Sequence, residues 1–350
     1  MLSVRLRVIW AGCLGLGVGL AGWSAGVAAQ ATTTGATESP EPEPGAASAN
    51  ESDTKPKPGE PHAEPGKSTA HHTEQPAVPG QKTVQTVDVI RASLEPAYLA
   101  YAVGFTGLDP LIFESNIVAH FIVTRPKWPF ALVLTPKVVV RMFNEASAPV
   151  KSPSYMPRVT AFVWFQQTID KSPVVYASLM LSHHSNGQVG SFFDENGAIR
   201  HEGGSFSTNY FDLSVYVTGF SGNWFGWSAL SLEWHPGIDE NPELRGRYGL
   251  LRAYLESTVL AKLPLQGQLK VRVGAILDRF EHTATGPITR ELERFPIGAR
   301  YTITVPGFDL GLYLGYYLGH DYYNIYFDRI VHTLQIGISG AVTPAFFQNN

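Results

Sequence analysis

His183 and Ser185 lie two residues apart at the end of the run Val174 to Ser185 (V-V-Y-A-S-L-M-L-S-H-H-S). In an extended strand, residues i and i+2 point to the same face, so the imidazole and the hydroxyl stand side by side. A serine hydroxyl is a weak nucleophile until a neighbouring base takes its proton, and histidine is suited to that task near neutral pH. The face they share is otherwise apolar, carrying Val175, Ala177, Leu179 and Leu181. If that face meets lipid, this is a hydrolytic pair aimed at the membrane.

A base also needs a third group to hold its ring in the right tautomer. The segment after the next long loop has the same parity: Ser205, Ser207 and Asn209 share a face with Phe211, Leu213, Val215 and Val217, opposite Tyr210, Asp212, Ser214, Tyr216 and Thr218. If the two segments pair as a hairpin, His183, Ser185 and Asn209 come together. An asparagine carbonyl orients the ring without charge, which suits a lipid boundary where an ionised carboxylate is costly. For His183 and Ser185 alone, a polar strand end before an Asn186-Gly187 turn is the plainer account. The second strand of matching parity is what raises the catalytic one. Two other patterns carry no chemistry. His183-His184 is not a metal pair, because adjacent strand residues face opposite ways. Gly22-Trp23-Ser24-Ala25-Gly26 lacks the strand–turn–helix context of a nucleophile elbow.

The elements that must position these residues follow from the rhythm of the chain. No apolar run beyond Pro96 reaches the ~18 residues of a spanning helix. Period-two alternation instead marks twelve segments: 97–106, 111–124, 130–143, 155–169, 173–185, 205–219, 223–235, 247–262, 267–281, 291–305, 308–319 and 325–341. Short links alternate with mostly long polar ones (144–154, 186–204, 236–246 and 282–290), as periplasmic turns alternate with extracellular loops in an outer-membrane barrel. Opposite faces of one strand carry Leu251, Ala253 and Leu255 against Arg252, Tyr254 and Glu256. The expected fold is all-β, a twelve-stranded antiparallel transmembrane β-barrel of the outer membrane. Trp128, Trp164, Trp224, Trp227 and Trp234, with Tyr313, Tyr316, Tyr317, Tyr322 and Tyr323, fall near strand ends, as interfacial girdles would. A soluble sandwich would need a closed apolar core and Arg252, Lys270 and Arg272 in water.

Residues 1–29 read as a secretory signal, with Arg5 and Arg7 before an apolar run and Val27-Ala28-Ala29 for cleavage. Residues 30–90 are Pro- and Glu-rich with almost no large apolar side chain, the composition of a disordered tether. Residues 91–350 form the barrel. Cys13 is the only cysteine and lies in the signal, so the mature chain has no thiolate site and no disulfide. A formal net charge of -4 over 350 residues points to no nucleic-acid partner.

His183-His184-Ser185-Asn186-Gly187 and Ser205-Phe206-Ser207-Thr208-Asn209 resemble the H-x-S-N-G and S-x-S-x-N motifs of the outer-membrane phospholipase A family. Asp239-Glu240-Asn241-Pro242 and Tyr323-Asn324-Ile325-Tyr326-Phe327 are similar in kind. The resemblance implies a hydrolase of phospholipid acyl esters, with His183 as base, Ser185 as nucleophile and Asn209 as the orienting residue. It also implies a homodimer and a calcium ion held by the Ser205 hydroxyl, the Gln188 carbonyl and a serine of the second copy, Ser152 or Ser154. The loop from Ser185 to Asn209 is longer than the family's and adds Asp194, Glu195 and Glu202. Two other functions fit a barrel with His-x-Ser. A lipid A deacylase would pair His183 with a carboxylate such as Glu195 or Glu202, and a porin or inactive barrel would use none of these residues.

Overall fold

The computed structural model describes residues 84–340, apart from 105–110, 126, 147–148, 167, 170–172, 222–223, 239, 263–265, 282–290, 292, 305–307 and 309. The expected signal, with Cys13 and Gly22 to Gly26, and most of the expected tether lie outside the described residues. The sheet closes on itself as a 12-strand antiparallel barrel. Its strands are β1 (Tyr98–Gly104), β2 (Leu111–Val118 and Phe121–Val123), β3 (Phe130–Thr135 and Lys137–Phe143) and β4 (Ser154–Tyr155 and Arg158–Trp164). They continue as β5 (Val174–Ser185), β6 (Ser207–Ser221), β7 (Trp224–Trp234), β8 (Leu251–Lys262), β9 (Gln266–Ile276), β10 (Ile297–Thr304), β11 (Leu310–His320) and β12 (Ile330–Gly340). Each strand pairs with the next, and β12 returns to β1 in the register Ser339↔Tyr98 to Thr333↔Gly104. Closure leaves no edge, so every strand can satisfy its backbone in a membrane. The seam is tight at Gly337, where a Cβ would lie 2.0 Å from the Leu99 carbonyl oxygen.

The period-two alternation resolves into a lipid face and a lumen. Leu179, Leu181, Leu213, Val215, Leu230, Leu255, Leu312 and Ile336 are exposed on the outside. Charged side chains point inward and are paired there, because an unpaired buried charge is costly. Arg141 is wholly buried between Glu114 (2.6 Å) and Asp321 (2.7 Å), with the Tyr322 and Tyr323 rings 4.7 Å away. Lys270 meets Glu256 at 2.7 Å, and Arg252 meets Glu233 at 3.3 Å.

The short-turn end of the lumen is apolar, contrary to a uniformly polar interior. Phe162, Trp164, Tyr176, Phe225, Trp227 and Leu260 line it and surround helix α1 (Thr86–Ser93), whose Val89, Ile90 and Ala92 are buried among them. Residues 84–90, expected in the tether, are therefore structured: Val84–Gln85 pairs with Thr168–Ile169, and α1 follows. Trp164, Trp227 and Tyr313 consequently face inward rather than forming a girdle, whereas Trp224 and Trp234 face outward. Sequence position near a strand end does not fix which face a ring takes.

Glu95, just beyond α1, reaches into the lumen. Its carboxylate is held by Lys137 (2.9 Å), Arg158 (3.0 Å), Arg300 (3.8 Å) and the Asn116 amide (3.1 Å). Burial alone would raise its pKa, but Lys137, Arg158 and Arg300 outweigh burial and hold it well below the usual carboxylate range. At the long-loop end, Phe192, Phe206, Leu244, Tyr248, Tyr323, Ile325, Tyr326 and Phe327 form a second apolar cluster. Between the two clusters a polar cavity of about 310 Å³ remains.

Candidate active site

Strands β5 and β6 pair as a hairpin along their whole length, with His183 opposite Asn209 and Ser185 opposite Ser207. The alternation expected from the sequence holds. Val175, Leu179 and Leu181 are exposed to the outside in one row with His183 and Ser185, while Ser182 and His184 are buried. His184 packs edge-on against Phe206 inside, with ring centroids 4.9 Å apart.

His183 Nδ1 lies 2.9 Å from Asn209 Oδ1. The Asn209 amide is fixed by its other end, since Nδ2 donates to the Ile238 carbonyl at 2.8 Å. A carbonyl can only accept, so the amide nitrogen must face Ile238 and Oδ1 must face the ring. His183 Nδ1–H therefore donates to Asn209, which leaves Nε2 unprotonated and able to take a proton. Ser185, two residues along the same face, is ~7 Å away along the backbone, within reach of two side chains leaning toward each other.

Two buttresses hold the strand ends in place. The Asn186 side chain accepts from the Phe206 amide (2.9 Å) and the Gln188 amide (3.2 Å) and donates to the Gly204 carbonyl (2.7 Å). Asn241 accepts from the Ser207 amide at 2.7 Å and donates to Ser205 Oγ at 3.1 Å. A strand-parity argument does not reach Asn241 or the Ile238 carbonyl, because both come from the loop after β7. Gly187 adopts φ 67°, and the Tyr155 ring packs beside it. Among the described residues its amide has no hydrogen-bond partner.

The oxygen atoms named for calcium are of the hard type that ion takes. Ser205 and Gln188 lie on the two segments that converge on the Asn186 side chain, which accepts from the Gln188 and Phe206 amides. Ser154 does not fit. It is buried in the lumen, where its Oγ accepts from the Asn324 amide at 3.2 Å. Ser152 is partly exposed, and its carbonyl accepts from Tyr323 and Asn324. Among the described residues no group of three or more His, Cys, Asp or Glu side chains is placed to hold a metal.

Glu202 and Asp194 of the long loop take other partners. Glu202 is 3.7 Å from Lys151, and Asp194 accepts from the Asn196 and Ala198 amides. Behind the site, Thr208, His235 and Glu233 form a hydroxyl–imidazole–carboxylate chain with links of 2.8 and 3.2 Å. Thr208 is completely buried, so no ester can reach it. This chain bolsters β6 from the lumen side.

Fold and cluster together define a barrel of the outer-membrane type with a histidine–asparagine pair and a serine on its lipid-facing wall. No protein-family model matches the sequence, and no curated protein is similar to it. Among solved structures, the outer-membrane phospholipase A of Escherichia coli is similar at 13% identity and TM-score 0.49, covering 73% of this chain and 98% of that one. A Salmonella typhi outer-membrane phospholipase dimer with bound calcium is similar at 13% identity and TM-score 0.48, over 76% and 100% of the two chains. The NanC porin is similar at 8% identity and TM-score 0.41, over 70% and 99%.

Proposed function

We propose that this chain is an outer-membrane phospholipase that hydrolyses acyl ester bonds of phospholipids through Ser185, His183 and Asn209. The observation that carries this reading is the fixed His183–Asn209 hydrogen bond on an apolar outer face, in line with Ser185. Ser185 Oγ attacks the ester carbonyl carbon while His183 Nε2 takes its proton. The carbon–oxygen bond to the glycerol then breaks, and the imidazolium returns the proton to the departing alcohol. A water molecule attacks the acyl-serine in the same way, releasing the fatty acid and restoring the Ser185 hydroxyl. Asn209 holds the ring and stabilises the imidazolium by accepting from Nδ1. The Gly187 amide is a backbone donor for the developing oxyanion.

Calcium, held by Ser205 Oγ and the Gln188 carbonyl with Ser152 of a second copy, would add positive charge near that oxyanion. The family resemblance motivates both the ion and the homodimer. The long loops flanking the site support its placement at the outer rim of the bacterial outer membrane. The filled short-turn end and the aromatic cluster at the long-loop end favour a hydrolase over a pore. The bond from His183 to an amide favours phospholipid over the carboxylate-assisted chemistry of a lipid A deacylase. A serine-reactive alkylphosphonate ester tests the reading. It is expected to modify Ser185 in the refolded protein, as mapped by mass spectrometry, and to fail after His183→Ala. Equal labelling in that variant, or none in the native protein, would count against it.

A further inference from the structure

Beyond β7 the chain passes the site as His235-Pro236-Gly237-Ile238-Asp239-Glu240-Asn241. Gly237 takes φ 78°, a left-handed backbone that favours glycine and lets the loop turn sharply after Pro236. The burial of this stretch has the pattern of an arch. His235 is 2% exposed and the Glu240 side chain 1%, whereas Ile238 between them is 56% exposed. The two buried feet meet at one atom. Thr208 Oγ1 lies 2.8 Å from His235 Nδ1 and donates to Glu240 Oε2 at 3.4 Å. A hydroxyl has one proton and two lone pairs, so it can join a ring nitrogen and a carboxylate at once. Thr208 is the residue before Asn209 and projects from the opposite face of β6.

Asn209 depends on the crown of this arch. The Ile238 carbonyl accepts from Asn209 Nδ2 at 2.8 Å, and that bond decides which end of the amide meets His183. An amide turned end for end would present Nδ2 to His183 Nδ1, and the ring would then carry its proton on Nε2 and lose its role as a base. The Ile238 carbonyl belongs to an exposed loop, so its position is set by what holds the feet. The His235 foot is rigid. Its ring lies between those of Tyr210 (4.9 Å) and Tyr248 (5.2 Å), and its Nε2 is 3.2 Å from Glu233, which Arg252 holds. The Glu240 foot is held much less. Arg245 stays 3.7 Å away, Oε1 has no hydrogen-bond partner, and among the described residues the Thr208 hydroxyl is the one donor to that carboxylate. A buried carboxylate with so few donors adds little to stability. Its geometry serves the placement of the loop.

We propose that Thr208 is a positioning residue for the hydrolysis: its hydroxyl ties both feet of the 235–240 arch, which sets the Ile238 carbonyl and through it the orientation of the Asn209 amide. This rests on the hydrolase reading above and deepens it. Thr208 is wholly buried and acts only through Asn209. Neighbouring residues of β6 thus grip one loop from its two sides, the Thr208 hydroxyl at the feet and the Asn209 amide at the crown. Asn241, next to Glu240, carries the tie on to the Ser207 amide at 2.7 Å and Ser205 Oγ at 3.1 Å.

The test is a double-mutant cycle on kcat, measured with the refolded full-length protein and a short-chain phospholipid in detergent. Thr208→Val keeps the branched shape and removes the hydroxyl. Its kcat is expected to fall about fivefold while KM stays within about twofold, because bound lipid does not touch residue 208. In the Asn209→Ala background the same change is expected to leave kcat where it was, since the residue it acts through is gone. Thr208→Ser returns the hydroxyl and is expected to restore most of the rate. Thr333→Val, which removes a buried hydroxyl on β12, should leave kcat as in the native protein. Glu240→Ala frees one foot, is expected to lower kcat in the same way, and decides the matter should Thr208→Val fail to refold. A native kcat in folded Thr208→Val and Glu240→Ala, or an undiminished further loss in the Asn209→Ala background, would overturn the positioning role and leave the hydrolase standing. A native protein that hydrolyses no ester would overturn both.

Discussion

Replacing Asn209 by alanine isolates the orienting role of the third residue. The change removes one hydrogen bond of 2.9 Å to His183 Nδ1 and one of 2.8 Å to the Ile238 carbonyl. A hydrogen bond of this kind has a net worth of ~0.5–1.5 kcal/mol, or a factor of ~2–13 in rate if all of it acts in the transition state. Without an acceptor at Nδ1, the ring also takes the tautomer protonated at Nε2, which is useless as a base. Equal populations of the two tautomers double the loss, so kcat should fall ~5–25-fold. KM should move much less, because the bond acts on the ring rather than on bound lipid. The assay is steady-state hydrolysis of a short-chain phospholipid in detergent, with kcat and KM determined separately. A kcat within twofold of the native value would refute the orienting role. A loss as complete as that of Ser185→Ala would show that Asn209 does more than orient.

Glu95→Gln should destabilise the barrel by ~3 kcal/mol, since it leaves Lys137 and Arg158 without their carboxylate. The native Glu95 has a pKa below its unfolded value of ~4.3, so its contribution is present in full above that pH. It is lost as pH falls through the lower folded value, and denaturant unfolding of the two proteins should converge only in that acid range. Gly187→Ala should cost ~1–2 kcal/mol because φ is 67°, and it should lower kcat by moving the residue's own amide away from the developing oxyanion. Urea unfolding beside kinetics separates the two effects. Chelation of calcium should abolish activity reversibly, and Ser205→Ala should raise the calcium concentration needed for half-maximal rate.

Strand parity makes much of this molecule legible in its sequence. The shared outward face of Leu181, His183 and Ser185, and its match to Asn209, needed only a period of two and a hairpin. The barrel itself followed from the alternation of short and long links. What was not legible came from residues whose meaning depends on closure. Trp164 and Trp227 look like interfacial aromatics in sequence, yet they line the lumen around α1. Residues 86–93 sit next to a Pro-rich stretch, and only an apolar patch inside the barrel explains why Val89 and Ile90 are buried. Asn241 and the Ile238 carbonyl reach the site from a loop that parity does not describe.

The proposed function requires that Ser185 and His183 on the outer wall cleave phospholipid esters. Calcium-dependent release of fatty acid by the refolded native protein, measured beside Ser185→Ala, tests it most directly. The expected result is release by the native protein with calcium and none by a folded Ser185→Ala barrel. Equal release by both proteins, or none by either with calcium present, would contradict it.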